Sequence, residues 1–357
     1  MREFMYEGML YLCNKDAYDG RITVDSFRKV FELVDLRCHT TFTAELDQAT
    51  RQGSWHIESV EKLLGISVED ILDFIDLGMS RGADPSQPTL DYRDYKKALD
   101  DFIFEIIQLG TTHGDSYSKR PDGTTDHRRN LYDMLVDYGL DNSDRNSFIT
   151  FNYDLLLDKA VVINDRGLLG DYAVPFASVL SFDQYERILR NERLPSDVDI
   201  LKLHGSLNWA VCTQCKAPHL ASYWQYNHLP HDHCRRCQSS LSPVLVSPTP
   251  RKKIEERPFL AGVWQKALEV IRQANEIVVI GYSFPEADVE AKRLFERALV
   301  GCASRPRVFL VERKCEVRKR IRTFFLDLGT VEICGECEDF TEYCKKMGFY
   351  REQVTGR

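Results

Sequence analysis

Four cysteines stand as two Cys-x-x-Cys pairs, Cys212/Cys215 and Cys234/Cys237, with eighteen residues between the pairs. Each pair makes a tight knuckle that offers two thiolates to one ion, and two knuckles close a tetrahedral sulfur site that suits zinc. Four sulfurs leave no open coordination position, so the expected role is structural. His231 and His233 lie beside Cys234 and are the alternative donors for one sulfur. A further pair, Cys334 and Cys337, with Cys344 beyond it, has no fourth partner nearby and reads as free thiols. Eight residues before Cys212 stands His204, followed by Gly205 at the end of an apolar run. An imidazole titrates at about 6.5 and can accept a proton at cellular pH. A third cluster, Thr150-Phe151-Asn152-Tyr153-Asp154, ends another apolar run with three hydrogen-bonding side chains. Asn152 and Asp154 are also good helix caps, and that simpler role competes with a functional one.

The elements that must position these residues are legible from periodicity. SVEKLLG, VEDILDFIDLGMS, YRDYKKALDDFIFEIIQLG and NLYDMLVDYGL carry apolar residues three and four apart, the helical spacing. THGDSYSKRPDGTTDHRRN, polar and holding Pro121 and Gly123, reads as a surface loop. Short apolar runs at 147–154, 199–206, 276–283, 307–312 and 330–334 read as strands. Between the last three lie ADVEAKRLFERALVG and EVRKRIRTFFLDLG, the latter with Val317, Ile321, Phe324 and Leu328 on one stripe. Gly301 and Gly329 stand where these helices should stop. Strand–helix alternation with apolar strands predicts an α/β fold: a Rossmann-like parallel sheet with helices on both faces, plus a small zinc-ribbon module and a helical insertion. Ligands in such sheets bind at the carboxyl ends of the strands, where the polar clusters fall.

The whole-chain properties exclude several classes. The 357 residues suffice for a large core, and charged residues make up 29% of them, as in a soluble globular protein. No apolar run reaches the roughly 18 residues of a membrane span, and MREFMYEGMLYLCNKD lacks a signal peptide's pattern, so a cytoplasmic location without a membrane partner is expected. A net charge of −8 argues against a general nucleic-acid binder, Arg251-Lys252-Lys253 being a local exception. Eleven cysteines, an odd number, favour metal binding and free thiols over a disulfide framework.

The order Thr150-x-Asn152-x-Asp154, His204-Gly205, two Cys-x-x-Cys pairs, then an apolar strand ending Gly281-x-Ser283 resembles the sirtuin family. Within that family it resembles the divergent bacterial branch often linked to antiphage defence, with SPVLVSPTP and IVVIGYSFPEAD also similar to that branch. The resemblance covers residues 147 to 312. It implies a domain that binds NAD and breaks the bond between nicotinamide and ribose. On this chain it implies that Thr150, Asn152 and Asp154 contact the cofactor. Asn152 would meet the nicotinamide ribose and help position a water, and Asp154 would hold the nicotinamide amide. His204 would be the general base on a ribose hydroxyl, and Gly281 and Ser283 would lie against the adenosine half. Glu312 would bind the adenosine ribose hydroxyls, where sirtuins typically carry an asparagine. The implied ligands are NAD and zinc, and the implied partners are NAD as substrate and a second copy or a defence-system protein.

Two features depart from the family pattern. The stretch between Asn152 and His204 is longer than in protein deacylases, which turns the expectation from an acyl-lysine substrate toward water. Sirtuins also open with a strand and a Gly-Ala-Gly-x-Ser loop whose amides cradle pyrophosphate. Here Gly8 and Gly20 are isolated, while Met1-Arg2-Glu3-Phe4 and His56 to Val60 resemble the residues downstream of that loop. The expectation is that the first strand and loop are missing, through truncation or a late start. The expected organisation is a mostly helical part at 1–146, a Rossmann-like NAD-binding core at 147–357, and a zinc ribbon at 208–241 inserted in it. The functional expectation is an NAD hydrolase and defence effector. The alternatives are an NAD-dependent protein deacylase and a catalytically impaired nucleotide-binding or interaction module.

Overall fold

A computed structural model describes residues 24–38, 41–52, 68–81, 92–112, 117–119, 125–127, 131–142, 146–164, 170–180, 198–221, 233–246, 257–285, 288–300, 302 and 305–348. The Met1–Phe4 stretch, Gly8, Gly20, SVEKLLG, the His56–Val60 stretch, His231, the last four residues of SPVLVSPTP, Arg251–Lys253 and Gly301 lie outside the described residues.

The chain divides into two compact units that interleave along the sequence. One comprises Met1–Asp115, Ala177–Ser181 and His204–Lys252, and the other Ser116–Phe176, Phe182–Leu203 and Lys253–Arg357. In the first, helices α1 (Val24–Cys38), α2 (Phe42–Gln52), α3 (Val68–Arg81) and α4 (Tyr92–Thr112) bury their apolar stripes together. Phe27 meets Phe31 edge-on at 4.8 Å and Phe102 at 5.3 Å, and all three rings are buried.

The second unit opens with an antiparallel pair, β1 (Tyr117–Lys119) and β2 (Thr125–His127), inside the stretch expected to be a surface loop. Pro121 and Gly123, which suggest a loop, fall in sequence between the two strands and lie outside the described residues. Helix α5 (Leu131–Asn142) leads into β3 (Asn146–Thr150), followed by α6 (Leu156–Asn164).

Back in the first unit, a four-stranded sheet has the order β4-β7-β6-β8, built from β4 (Ser178–Leu180), β6 (Gly205–Cys212), β7 (Pro218–Ala221) and β8 (Leu241–Leu245). Strand β5 (Val198–Lys202) belongs to the second unit and pairs in parallel with β3, bringing Thr150 opposite Lys202. Then α7 (Pro258–Gln273), β9 (Glu276–Ile280), α8 (Val289–Leu299), β10 (Arg307–Val311), α9 (Cys315–Leu328) and β11 (Glu332–Cys337) alternate, closed by α10 (Phe340–Lys346). Strands β11-β10-β9 form a parallel sheet in that order.

The fold class is the expected α/β, Rossmann-like one, with the parallel strands in two groups, β3-β5 and β11-β10-β9, among the described residues. On α9, Ile321 and Phe325 are buried while Val317, Phe324 and Leu328 of the expected stripe are half-buried. Gly329 ends α9 in the left-handed conformation, φ 67°, as expected of a C-terminal glycine. No helix among the described residues is long and apolar enough to cross a membrane.

Candidate functional site

Within the second unit, the polar residues expected to act together stand at the carboxyl ends of parallel strands. The backbone amide of Asn152 donates to Thr150 Oγ1 at 3.1 Å, a tight turn that carries the chain off β3 and leaves Asn152 exposed. Leu156 N then donates to Asp154 Oδ1 at 3.0 Å, so this carboxylate also starts α6. The capping role thus falls on the side chain that is also the expected functional one. Burial and then the charge of Asp154 push the nearby Tyr132 hydroxyl up to about 12.

Across the unit, Gly281 continues β9 and donates its amide to the Val311 carbonyl at 2.9 Å. Glu312 continues β10 in the same way onto the Cys337 carbonyl, at 3.1 Å. Gly281 has φ 63°, and no atom lies within 4 Å of where a Cβ would stand, so its surface is open to close approach. Glu312 Oε1 accepts from Lys314 N at 2.8 Å and so helps to start α9. Arg320 holds the Ser283 carbonyl at 2.7 Å. The two strand-end groups are joined by Phe151, stacked on Tyr282 with centroids 4.0 Å apart and planes 10° from parallel. Tyr282 in turn donates to the buried Asp288, which caps α8 through Ala291 N. Through that stack the end of β3, which carries Thr150, Asn152 and Asp154, is linked to the end of β9, which carries Gly281 and Ser283.

His204 belongs to the other unit. It is 3% exposed, and its carbonyl accepts from Val246 N at 2.8 Å. Gly205 follows with φ 90°, where an added Cβ would stand 2.0 Å from the Val244 carbonyl oxygen. Only glycine fits there, and the close crossing of β6 and β8 fixes the backbone of His204.

The metal cluster is at the far end of β6. Sγ of Cys212 lies 3.4 Å from that of Cys237, Cys215 lies 3.5 Å from Cys234, and all four sulfurs are within 4.8 Å of one another. A zinc ion with bonds of about 2.3 Å sets tetrahedral sulfurs roughly 3.8 Å apart, so the four thiols fit it. The knuckles are built alike. In each, the amide of a following residue donates to the first sulfur at 3.4 Å, from Cys215 to Cys212 and from Arg236 to Cys234. In each, the residue after the second cysteine is left-handed, Lys216 and Gln238 both at φ 59°. Hydrogen bonds from the side chain and backbone of Ser239 lower the Cys237 thiol to about 6, favouring the thiolate a metal needs. His233 is exposed and bridges to Ser240, outside the sulfur cluster. Cys334 is exposed on β11, and burial pushes the Cys337 and Cys344 thiols up, the latter to about 11. These three are not among the metal-holding groups of the described residues.

Sequence reasoning missed one arrangement. Lys202 and Asp158 are buried and paired, Nζ to Oδ2, at 2.9 Å. Tyr172 donates to Asp158 Oδ1 at 2.8 Å, and Lys202 also donates to the carbonyl of Asp154. The available signal was a lysine inside the otherwise apolar run DILKLHG.

No family model matches the chain. An NAD-dependent protein deacetylase of Chromobacterium violaceum is 45% identical over 47 residues, which is 13% of this chain and 18% of that protein. The chain therefore spans less than a fifth of the length of this curated relative in the match. Among solved structures, a Sir2 enzyme bound to a propionylated peptide is 12% identical, with 62% of this chain and 72% of that one covered at a TM-score of 0.34. A Sir2 in complex with an inhibitor, 2′-O-acetyl-ADP-ribose and a deacetylated p53 peptide is 13% identical over 69% and 80%, at 0.35. A Sir2 homologue–NAD complex is 15% identical over 56% and 65%, at 0.31. Scores this low fix no residue correspondence. The motif order resembles the sirtuin family, and the 47-residue match is to an NAD-dependent protein deacetylase.

Proposed function

We propose that this sirtuin-like chain consumes NAD, cleaving the bond between nicotinamide and ribose, with water as the acceptor. The observation that supports the reading is the Phe151–Tyr282 stack, which links the polar carboxyl ends of the parallel strands β3 and β9, the kind of place where such sheets bind nucleotides. Asp154, set in a polar turn, takes the nicotinamide amide as donor. Asn152, exposed beside it, orients the ribose and the water. Gly281 admits the adenosine half close to the backbone, and Ser283 and Glu312 offer it hydrogen-bonding groups. The glycosidic bond breaks with its electron pair passing to the pyridinium nitrogen, and water adds to the ribose carbon. That addition releases one proton, and the resemblance to the sirtuin family assigns the general base to His204, whose imidazole can accept it. Cys212, Cys215, Cys234 and Cys237 would hold a zinc ion that supplies structural cross-linking and no open site.

A second reading keeps the chemistry and changes the acceptor to an acyl-lysine peptide. The match to a protein deacetylase supports it; the long segment between Asn152 and His204 supports water. Incubating the protein with NAD, with and without an acetylated peptide, separates them by chromatography of the products. We expect nicotinamide and ADP-ribose in equal amounts without peptide, and at least a hundredfold loss in His204→Ala. Release that depends on peptide favours the deacylase, and turnover unchanged in His204→Ala overturns both. The resemblance to defence-linked proteins further supports a cytoplasmic effector role, which a fall in cellular NAD only upon phage infection would test.

A further inference from the structure

We propose that Lys202, with Asp158 and Tyr172, is a positioning device for the Asn152–Asp154 turn, acting on nicotinamide recognition through the backbone of Asp154. The inference rests on the NAD-cleaving reading above. Lys202 is the last residue of β5 and stands in register with Thr150, the last residue of β3. Its side chain is 1% exposed and that of Asp158 is 0% exposed. Removing two charges from water is costly, and an apolar pair of similar volume often serves stability as well. What an apolar pair cannot do is hold a carbonyl in one direction. Lys202 does that: its ammonium is shared between Asp158 Oδ2, on the first turn of α6, and the carbonyl of Asp154, just before that helix. Tyr172 fixes the carboxylate in turn by donating to its other oxygen at 2.8 Å. Leu203 N donates to the Thr150 carbonyl at 3.0 Å, completing the ties between the end of β5 and the start of the turn. The turn from Thr150 to Leu156 is thus gripped at both ends, while Asn152 between them is exposed. Such a grip fixes the backbone from which the Asp154 carboxylate and the Asn152 amide project, and it leaves Asp154 Oδ2 outside the bond to Leu156 N.

The test replaces the whole network at once, Lys202→Met with Asp158→Leu and Tyr172→Phe, so that no charge or hydroxyl is left buried alone. A second variant, Lys202→Met with Asp158→Asn, keeps the tyrosine's partner and serves if the first does not fold. Amide exchange at residues 151–156 is compared with exchange in β9 and β10, alongside nicotinamide inhibition of NAD turnover and ADP-ribose affinity. We expect exchange at 151–156 to quicken about tenfold or more with β9 and β10 unchanged. Inhibition by nicotinamide should weaken about tenfold while ADP-ribose binds as before. A folded variant whose 151–156 amides exchange at the wild-type rate overturns the proposal. Wild-type protein that releases no nicotinamide sinks the NAD-cleaving reading, and the exchange rates still judge the grip on its own.

Discussion

Asp154 meets a structural demand and, in the proposed function, a chemical one on the same side chain. Its Oδ1 accepts from Leu156 N, and asparagine satisfies that bond equally well. Asp154→Asn should therefore hold the unfolding free energy within about 0.5 kcal/mol, while Asp154→Ala loses about 1 kcal/mol. Both should cut nicotinamide release by at least about tenfold, because neither keeps the charge that receives the nicotinamide amide. Urea melts and product assays on the two variants separate the roles. Gly205 is the other residue whose type is forced. Gly205→Ala puts a methyl group against the Val244 carbonyl at a left-handed φ, and should cost about 1–3 kcal/mol or more, read as a lower urea midpoint at unchanged slope. Spacing alone points to the four cysteines, whereas Asn152, Asp154 and His204 stand out only through a motif order that resembles the sirtuin family. Lys202 is hidden from such reasoning because a single lysine in a buried strand carries no spacing, and its carboxylate partner stands 44 residues away.

At the scale of elements, periodicity finds the helices and the core strands, with β9, β10 and β11 beginning within two residues of their expected starts. It fails where a local signal means something else. The 199–206 run reads as one strand, whereas β5 ends at Lys202 and β6 begins at Gly205, across the left-handed glycine. The β1–β2 hairpin is masked by the polar side chains of two short strands. The paired knuckles are legible because thiolate spacing is a geometric requirement of the ion, not a packing preference. Their stability should depend on it: purified protein should hold about one zinc per chain. Stripping it with a strong chelator should lower the melting temperature and speed amide exchange in β6 and β8 more than in β9 and β10. Metal analysis and exchange on the same sample check this, and a metal-free protein with unchanged β6 and β8 would refute it.

For the whole molecule, strand–helix alternation between residues 276 and 337 foretells the parallel α/β sheet. The interleaving of two units is out of reach, because it depends on which segments pack together after the chain has crossed between them. The boundary at Leu203 and His204 divides DILKLHGS, so the lysine that grips the Asp154 turn and the histidine assigned as base fall in different units two residues apart. Mild proteolysis of the native protein followed by mass spectrometry should leave both units' strands protected, since β5 and β6 are buried almost throughout.

The β6–β8 ladder runs from Gly205 opposite Leu245 to Cys212 opposite Leu241. One end carries the His204 carbonyl, bound to Val246 N, and the other carries Cys212 of the four-thiol cluster. The strand pair is thus a ruler eight residues long between the metal-binding thiols and the histidine proposed as base. A thiol oxidant that opens the cluster would release the anchored end of that ruler, and NAD turnover would then register the redox state of sulfurs that take no part in the chemistry.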